Sequence, residues 1–521
     1  FRVGLKAIYN IGVQMMMNTP ILRYFIADNY HLQSPKTLIN GDGEIKIEGK
    51  ETNVAGFKKL FVHSNEVATI NSKGTVEING KSGTSHTNVA EKYDPTKLEV
   101  NAKAIVHFRP LDSWDGSGFG YDFMRIGDTL LKGDATSNIY EKIVGKNGTS
   151  FPDPTKFDLL ESEYSQHIIT TKQKTDSAGT LIVDTAGKPV FKEYYVPWLT
   201  LFPKKKGTPL VATGFSNTKA DLMLYINVDE EPDKLELRFD NTLFDINKKK
   251  LTSKTVTTGT PHKVQIKIKC LKEFDTDKEI VVLAIKNKAD GTKDEFLAGK
   301  LKVLANKKRY KAKVVIVKVS TDIGNGAKNP TLIGRENELR KYLRQALIEP
   351  EFETLALNLE TDVAPHNEKT KFNTAHAIYD PAQRKWIIRW GSNPALHADL
   401  NTIFNKTHNV GGKDYSKHIK VYFIDEYAKS TSGGTLYGAG ALSTKSVTMF
   451  PVGFNDSTFA HETLHALGLD HSFEDVSKHT FKQDKTDNIM DYSDVNFTAP
   501  IPVIQLWRWQ YDTICTNAEP E

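Results

Sequence analysis

The sequence contains few cysteines, no long apolar run and no large excess of charge of either sign. Cys270 and Cys515 are the two cysteines among 521 residues, which is too few for a disulfide framework or a cysteine-ligated zinc site. No apolar run approaches the roughly 18–20 residues of a spanning helix, so we expect no membrane span. The formal net charge is +5, and no basic stripe is interleaved with aromatic residues, so nucleic acid is not an expected partner.

The composition is otherwise that of a globular chain with enough apolar residues to build several cores. Hydrophobic residues make up 39% of the sequence, and 26 Phe, 19 Tyr and 6 Trp are present, which argues against disorder. At about 150 residues per domain, the length predicts three to four domains. The first 25 residues lack the continuous apolar core and small-residue cleavage site of a signal peptide, so we expect no classical signal peptide.

Residues 1–130 are expected to form a β-rich N-terminal region, and residues 131–190 a polar connection or insertion. Short strands separated by Gly and Asn turns are predicted between residues 41 and 108. The glycines that follow are spaced G-x-G-x-G and lack the third glycine of a dinucleotide-binding fingerprint. We therefore interpret this stretch as a turn-rich loop held by four aromatic residues, Trp114, Phe119, Tyr121 and Phe123.

Residues 191–307 alternate apolar and polar positions, which is typical of strands with one buried face. Leu222, Leu224 and Ile226, for example, lie on one face of such a strand. Several strands of this kind, separated by turns at short intervals, predict an antiparallel β-sandwich. Cys270 falls on the apolar face of its strand, so we interpret it as a buried core thiol.

Residues 308–521 mix strands and helices, a pattern typical of an α+β or α/β domain. Strands are predicted at 313–319, 385–390, 419–424 and 446–452. Helices are predicted at 336–347, where apolar residues recur at i, i+3, i+4, i+7 and i+8, and at 397–404. A closing helix is expected over 501–514, with Ile504, Trp507 and Ile514 facing inward.

A histidine motif in the last hundred residues carries the clearest chemical signal. His461 and His465 are four residues apart, so on a helix both imidazoles reach one ion. Glu462 lies beside the first ligand and can reach a water molecule at the same ion. Gly468 permits the turn that brings in His471, and three neutral imidazoles plus water form an open catalytic zinc site. Two surface histidines beside a glutamate are the alternative, and the fixed offsets of Gly468 and His471 disfavour it.

The chain here resembles the metzincin zinc endopeptidases, in which this long histidine motif is followed by a methionine-containing turn. Met490 follows His471 by 19 residues and fits that turn. The resemblance implies one catalytic Zn²⁺ held by His461, His465 and His471, with Glu462 activating the attacking water. It also implies an α+β, zincin-like catalytic domain over residues 308–521. The expected protein is thus a multidomain metalloendopeptidase with β-rich modules before its catalytic domain.

The residues around the motif resemble two branches of that family. The run from Gly468 to Ser472 is similar to matrixins, whereas the Met-x-Tyr formed by Met490 and Tyr492 is similar to astacins and serralysins. In the latter branches the tyrosine contacts zinc or stabilises the transition state. For Tyr492, this role and that of a core or rim tyrosine both remain open.

The family resemblance also implies where a protein or peptide substrate binds. Leu436, Tyr437, Gly438 and Ala439 lie where metzincins carry the edge strand that pairs with an extended substrate. A simple loop is the alternative for these four residues. Residues 493–500 would line the pocket for the side chain that follows the scissile bond.

A second resemblance covers most of the chain. Segments at 108–129, 194–203, 230–239 and 297–308 resemble multidomain proteins of Bacteroidetes associated with type VI secretion, some of which carry a C-terminal metzincin-like domain. This implies an effector or toxin that is cytoplasmic before export from a bacterium, with secretion-apparatus components as partners. Two alternatives stay open: a catalytically silent interaction or structural component, and a conventionally secreted nutritional or virulence protease. The intact Glu462 and histidines disfavour the silent component.

Overall fold

In the computed structural model, the described residues all belong to the unit Glu91–Glu521. The strands expected before residue 103 lie outside the described residues. Among the helices that are described, none combines the length and the apolar character that crossing a bilayer requires. The described residues are 103–129, 131–148, 151–175, 179–203, 218–331, 335–363, 366–390, 395–442, 444–454, 457–495 and 498–520.

The N-terminal half of this unit consists mainly of strands. Two short helices and a 3-10 turn at Lys132–Asp134 interrupt them. The elements in chain order are β1 (Ala104–Pro110), β2 (Gly120–Asp122), α1 (Tyr140–Ile143), β3 (Val144–Gly145), α2 (Pro154–Glu161), β4 (Gln166–Gln173), β5 (Phe191–Tyr195), β6 (Trp198–Thr200), β7 (Lys219–Val228), β8 (Lys234–Arg238), β9 (Phe244–Ile246), β10 (Lys250–Leu251), β11 (His262–Cys270), β12 (Lys278–Asn287) and β13 (Lys293–Val303).

Ten of these strands form two sheets that bury their apolar faces in one core. The orders are β1-β7-β11-β9 and β10-β8-β12-β13-β6-β2. Neighbours run antiparallel except β13 and β6, which are parallel. The alternation of apolar and polar residues in β7 buries one face of the strand, as predicted, because Leu222, Leu224 and Ile226 are fully buried in this core. Cys270 of β11 is also fully buried there. Since β1 and β2 precede residue 130, the sheet pairing crosses the domain boundary expected there.

The C-terminal half alternates helices and strands. A 3-10 turn at Pro451–Gly453 precedes the helix that carries the histidine motif. The elements in chain order are β14 (Tyr310–Thr321), α3 (Glu336–Gln345), β15 (Ile348–Leu359), α4 (Glu368–His376), β16 (Ala377–Asp380), β17 (Lys385–Arg389), α5 (Ala395–His408), β18 (Ile419–Ile424), β19 (Ala428–Lys429), β20 (Gly438–Ala441), β21 (Ser446–Met449), α6 (Thr458–Ala466), β22 (Thr480–Phe481), α7 (Arg508–Asn517) and β23 (Glu519–Pro520).

The central sheet of this half has the order β15-β14-β18-β21-β20, with β23 added beside β14. The first four strands run parallel, and β20 is antiparallel to β21 at the edge. Alternate residues of β14 face opposite cores: Val314 and Ile316 pack with α3, α6 and α7, whereas Val315 and Val317 pack with α4 and α5. Helices therefore cover both faces of the sheet, and β20 lies beside α6.

The expected closing helix over 501–514 is corrected by the structure, because α7 begins at Arg508. Residues 501–507 are extended instead: Ile489 N–H donates to the Gln505 carbonyl (2.9 Å), and Ile504 N–H donates to the Asp487 carbonyl (2.9 Å). Prolines at 500 and 502 explain the difference, since each lacks an N–H and disfavours a helical conformation in the residue before it. Trp507 and Ile514 are buried as predicted, and Ile504 is half-buried.

The region interpreted as a polar connection packs against the C-terminal half. Strand β3 pairs with β22, with Gly145 opposite Thr480. The buried ring of Tyr140 lies edge-on to Phe481 and Trp507, with centroids 5.0 and 5.8 Å away. The described part of 131–190 therefore supplies core residues as well as a connection.

Candidate metal centre

Helix α6 positions the first two histidines of the motif on one face. His461 and His465 are one helical turn apart, both are buried, and their ring centroids are 4.8 Å apart. Ser457 precedes the helix but does not cap it through its side chain. Its Oγ donates instead to Asp494 Oδ2 (2.6 Å), which ties the start of α6 to the chain beyond Tyr492.

The end of α6 is a reversed turn built on Gly468. Its φ is +92°, a left-handed conformation that glycine adopts without strain from a Cβ. Gly468 N–H donates to the His465 carbonyl (2.8 Å) and Leu469 N–H to the Leu464 carbonyl (3.1 Å), the bonding pattern of a Schellman motif. The reversed chain brings His471 back toward the helix, as the sequence predicts.

The three imidazoles converge, and the hydrogen bonds of the rings show which nitrogen atoms can bind a metal. One ring nitrogen from each histidine lies within 4.8 Å of the other two. The opposite nitrogen, Nδ1, lies near an oxygen in every case: His461 at the Ile489 carbonyl (2.8 Å), His465 at the Leu469 carbonyl (2.5 Å) and His471 at Glu474 Oε1 (2.9 Å). An oxygen acceptor places the proton on Nδ1, so the lone pairs are on the Nε2 atoms.

The environment of these nitrogen atoms fits a metal cation. His461 Nε2 is buried without a hydrogen-bond partner, and the Nε2 atoms of His465 and His471 are 3.1 Å apart. Burial and the neighbouring imidazoles lower the pKa of His461 well below its ordinary range, and the pKa of His465 to about 4. Both rings are therefore neutral at neutral pH, as metal ligation requires. Three neutral imidazoles suit zinc.

Glu462 follows His461 in the chain and contacts the edge strand. The N–H of Gly440 in β20 donates to Glu462 Oε2 (2.5 Å). A Cβ on Gly440 would lie 2.2 Å from the Glu462 carbonyl oxygen and 3.0 Å from the His465 Cβ. The absence of a side chain at Gly440 therefore lets the strand approach α6 closely, and the carboxylate is held at the strand.

The structure places the predicted substrate residues at and before this edge. Gly438 and Ala439 lie in β20, opposite Met449 and Thr448. Leu436 and Tyr437 precede the strand, so the observed strand begins two residues later than the predicted segment. Leu436 packs against the core beneath α5, and Tyr437 is exposed.

Residues 487–491, which we name the Met-turn, contact the ring of His461. The Met490 side chain is fully buried in the core that includes α6. Met490 N–H donates to Asn488 Oδ1 (2.9 Å), and the Met490 carbonyl accepts from Ser472 N–H (3.0 Å). The carbonyl of Ile489 in the same turn accepts a hydrogen bond from His461 Nδ1 (2.8 Å), so the geometry of the turn determines the orientation of that imidazole.

Tyr492 lies at the centre rather than in the core. Its hydroxyl is 2.8 Å from His471 Nε2, and its ring stacks on His461 with centroids 5.5 Å apart. The side chain is partly open to solvent, with 37% of its surface exposed. Glu474, which holds His471, is a site residue that the sequence reasoning missed. An acidic residue three positions after the last histidine is the signal that could have identified it.

Comparisons with known proteins add little to this geometry. No family model matches the chain, and no curated protein matches it. Among solved structures, the chain is similar to the crystal structure of archaemetzincin from Methanopyrus kandleri. The match has a TM-score of 0.24 and 12% sequence identity, and it covers 40% of this chain and 95% of that chain. The interpretation of the site therefore rests on its own residues.

Proposed function

We propose that this protein is a zinc-dependent endopeptidase of the metzincin type. The observation that carries the proposal is the convergence of one ring nitrogen from each of three histidines, next to a glutamate held at a sheet edge. His461, His465 and His471 would hold the metal. A bound zinc ion supplies Lewis-acid chemistry, which acidifies water and polarises a carbonyl group.

Glu462 is the residue that moves protons in the proposed reaction. Its carboxylate adjoins the ligand His461 in sequence, and Gly440 N–H fixes one of its oxygens. From there it accepts a proton from the attacking water and then delivers a proton to the leaving amine. Neither step needs a nucleophilic serine or cysteine.

Tyr492 is proposed to donate a hydrogen bond to the oxygen that gains charge during the reaction. Burial, followed by the charge of Glu462, raises the pKa of Tyr492 well above its ordinary range. The hydroxyl therefore carries its proton at neutral pH. A neutral hydroxyl beside the metal ligands suits stabilisation of an oxyanion.

The edge strand supports a protein or peptide substrate. Strand β20 is the last strand of its sheet, and within the described residues no other strand pairs with its outer side. An extended peptide can add to such an edge through main-chain hydrogen bonds. Because Gly440 in this strand also contacts Glu462, a peptide bound there would lie beside the catalytic carboxylate.

We also propose that the protein is an exported bacterial effector. The support for this part is the resemblance of segments such as 108–129 and 194–203 to type VI secretion-associated proteins. The test is its detection outside the native bacterium by immunoblot. The signal should disappear when the secretion apparatus is inactivated, and continued export would contradict this route.

The peptidase proposal is tested on the full-length chain with unfolded casein as substrate. We expect one zinc ion per chain, and we expect Glu462→Ala to lower the cleavage rate by at least about 10²-fold while zinc is retained. Glu141→Ala, which removes an exposed glutamate in α1, is the matched control and should cleave normally. A wild-type chain without zinc, or a Glu462→Ala variant that cleaves casein at the wild-type rate, would overturn the proposal.

A further inference from the structure

A buried arginine from the N-terminal half contacts the Met-turn. Arg125 is 1% exposed, and its Nη2 donates to both carboxylate oxygens of Asp487, at 3.1 and 3.0 Å. Asp487 is the first residue of the Met-turn, and it too is buried. The two residues are 362 positions apart in the chain, so this ion pair joins the two halves of the unit.

The ion pair is connected to a metal ligand through a short series of hydrogen bonds. Gln505 Nε2 also donates to Asp487 Oδ1 (2.9 Å), so Arg125 and Gln505 share the carboxylate. The Gln505 carbonyl accepts from Ile489 N–H (2.9 Å). The Ile489 carbonyl in turn holds His461 Nδ1 (2.8 Å). Movement of Asp487 would therefore change the acceptor that orients His461.

A buried carboxylate needs a partner at this position. Removal of one member of a buried ion pair is strongly destabilising, because the other charge is left uncompensated. Arg125 is the cationic group that the structure places against Asp487. Without it, the Met-turn would have to rearrange to bring the carboxylate to water.

We propose that Arg125 is a positioning residue for the metal centre, acting through Asp487 and the Ile489 carbonyl on His461. This inference rests on the metal site of the proposed function. It gives the N-terminal half a role at the metal site. Arg125 from that half helps to orient His461, which belongs to the C-terminal half. Outer support of this kind typically contributes about 10- to 100-fold to metal affinity.

Arg109 offers a matched control for Arg125. It is also buried, and both guanidinium groups lie over the ring of Phe123, at 4.5 Å for Arg109 and 4.0 Å for Arg125. Arg109 pairs with Asp128, in its own half, and not with the Met-turn. Arg109→Met therefore removes the same kind of buried cation without changing the acceptor of His461.

The test measures zinc affinity of full-length variants by chelator competition, together with the visible absorption spectrum of the cobalt-substituted chain. We expect Arg125→Met to weaken zinc binding by about 10- to 100-fold and to alter the cobalt spectrum. Arg109→Met should match the wild type in both. Should Arg125→Met not fold, Arg125→Lys keeps the charge but loses the forked geometry, and it should show a smaller loss in the same direction.

Two results would overturn the inference. One is wild-type zinc affinity and an unchanged cobalt spectrum in the Arg125 variants, and the other is an equal loss of affinity in Arg109→Met. Either result would leave the proposed peptidase function intact. A wild-type chain that binds neither metal would instead overturn that function and this inference with it.

Discussion

At the scale of single residues, the orientation of each imidazole depends on an oxygen that the motif itself does not reveal. The motif was sufficient to predict that His461, His465 and His471 converge, because that follows from a helical turn and one reversed turn. Their acceptors, by contrast, are two carbonyl groups and Glu474. The contact of Arg125 with Asp487 could not be predicted, since 362 residues separate the two and neither has a local signal.

A Tyr492→Phe variant tests the two roles that the sequence left open for this residue, stabilisation of the transition state and that of a core or rim tyrosine. Replacement by Phe removes the hydroxyl near His471 and keeps the ring that stacks on His461. If the hydroxyl stabilises an oxyanion, kcat should fall by about 10²-fold, with KM and zinc affinity unchanged. Steady-state kinetics on a peptide substrate measure this.

A surface tyrosine provides the control for that experiment. Tyr427→Phe removes an exposed hydroxyl outside the centre and should leave kcat unchanged. Equal kcat values for Tyr492→Phe and the wild type would contradict the catalytic role of the hydroxyl and support a rim role.

At the scale of elements, the close contact of α6 with β20 places the histidine-bearing helix against the edge strand of the sheet. Strands with a clear apolar pattern were predicted well: β18, for example, occupies 419–424 as expected. The closing helix was not, since residues 501–507 pair with the Met-turn and α7 begins at Arg508. The apolar pattern of residues 501–507 fits a helix, but it does not show that their backbone groups hydrogen-bond to the Met-turn instead.

Gly440→Ala tests the contact between strand and helix. The added Cβ would lie 2.2 Å from the Glu462 carbonyl oxygen, so the strand must move away from α6 and release the Glu462 carboxylate. We expect kcat/KM to fall at least tenfold and the free energy of unfolding in urea to fall by about 1–3 kcal/mol.

Gly434→Ala is the control for the strand variant. A Cβ there meets Ser430 Oγ at 3.5 Å, an ordinary contact, so its stability should change by less than about 0.5 kcal/mol. Wild-type kinetics for Gly440→Ala would show that the close approach has no part in catalysis.

At the scale of the whole molecule, residues of the N-terminal half contribute to the packing of the C-terminal half. Tyr140 covers Phe481 and Trp507, and Arg125 neutralises Asp487. The length of the chain predicted several domains, but it could not show that residues near 125 and 140 contribute to the core behind the Met-turn. The domain limits at 130, 190 and 307 remain predictions. Experiments on the metal centre therefore use the full chain.

The most direct test of the central claim, that three imidazoles hold one catalytic zinc ion, is the zinc K-edge X-ray absorption spectrum of the full-length protein. We predict three histidine nitrogen atoms at about 2.0–2.1 Å and one further light ligand. The scattering pattern of an imidazole should be lost in part when His471 is replaced by alanine. A spectrum with sulfur ligands, or with no histidine contribution, would contradict the account.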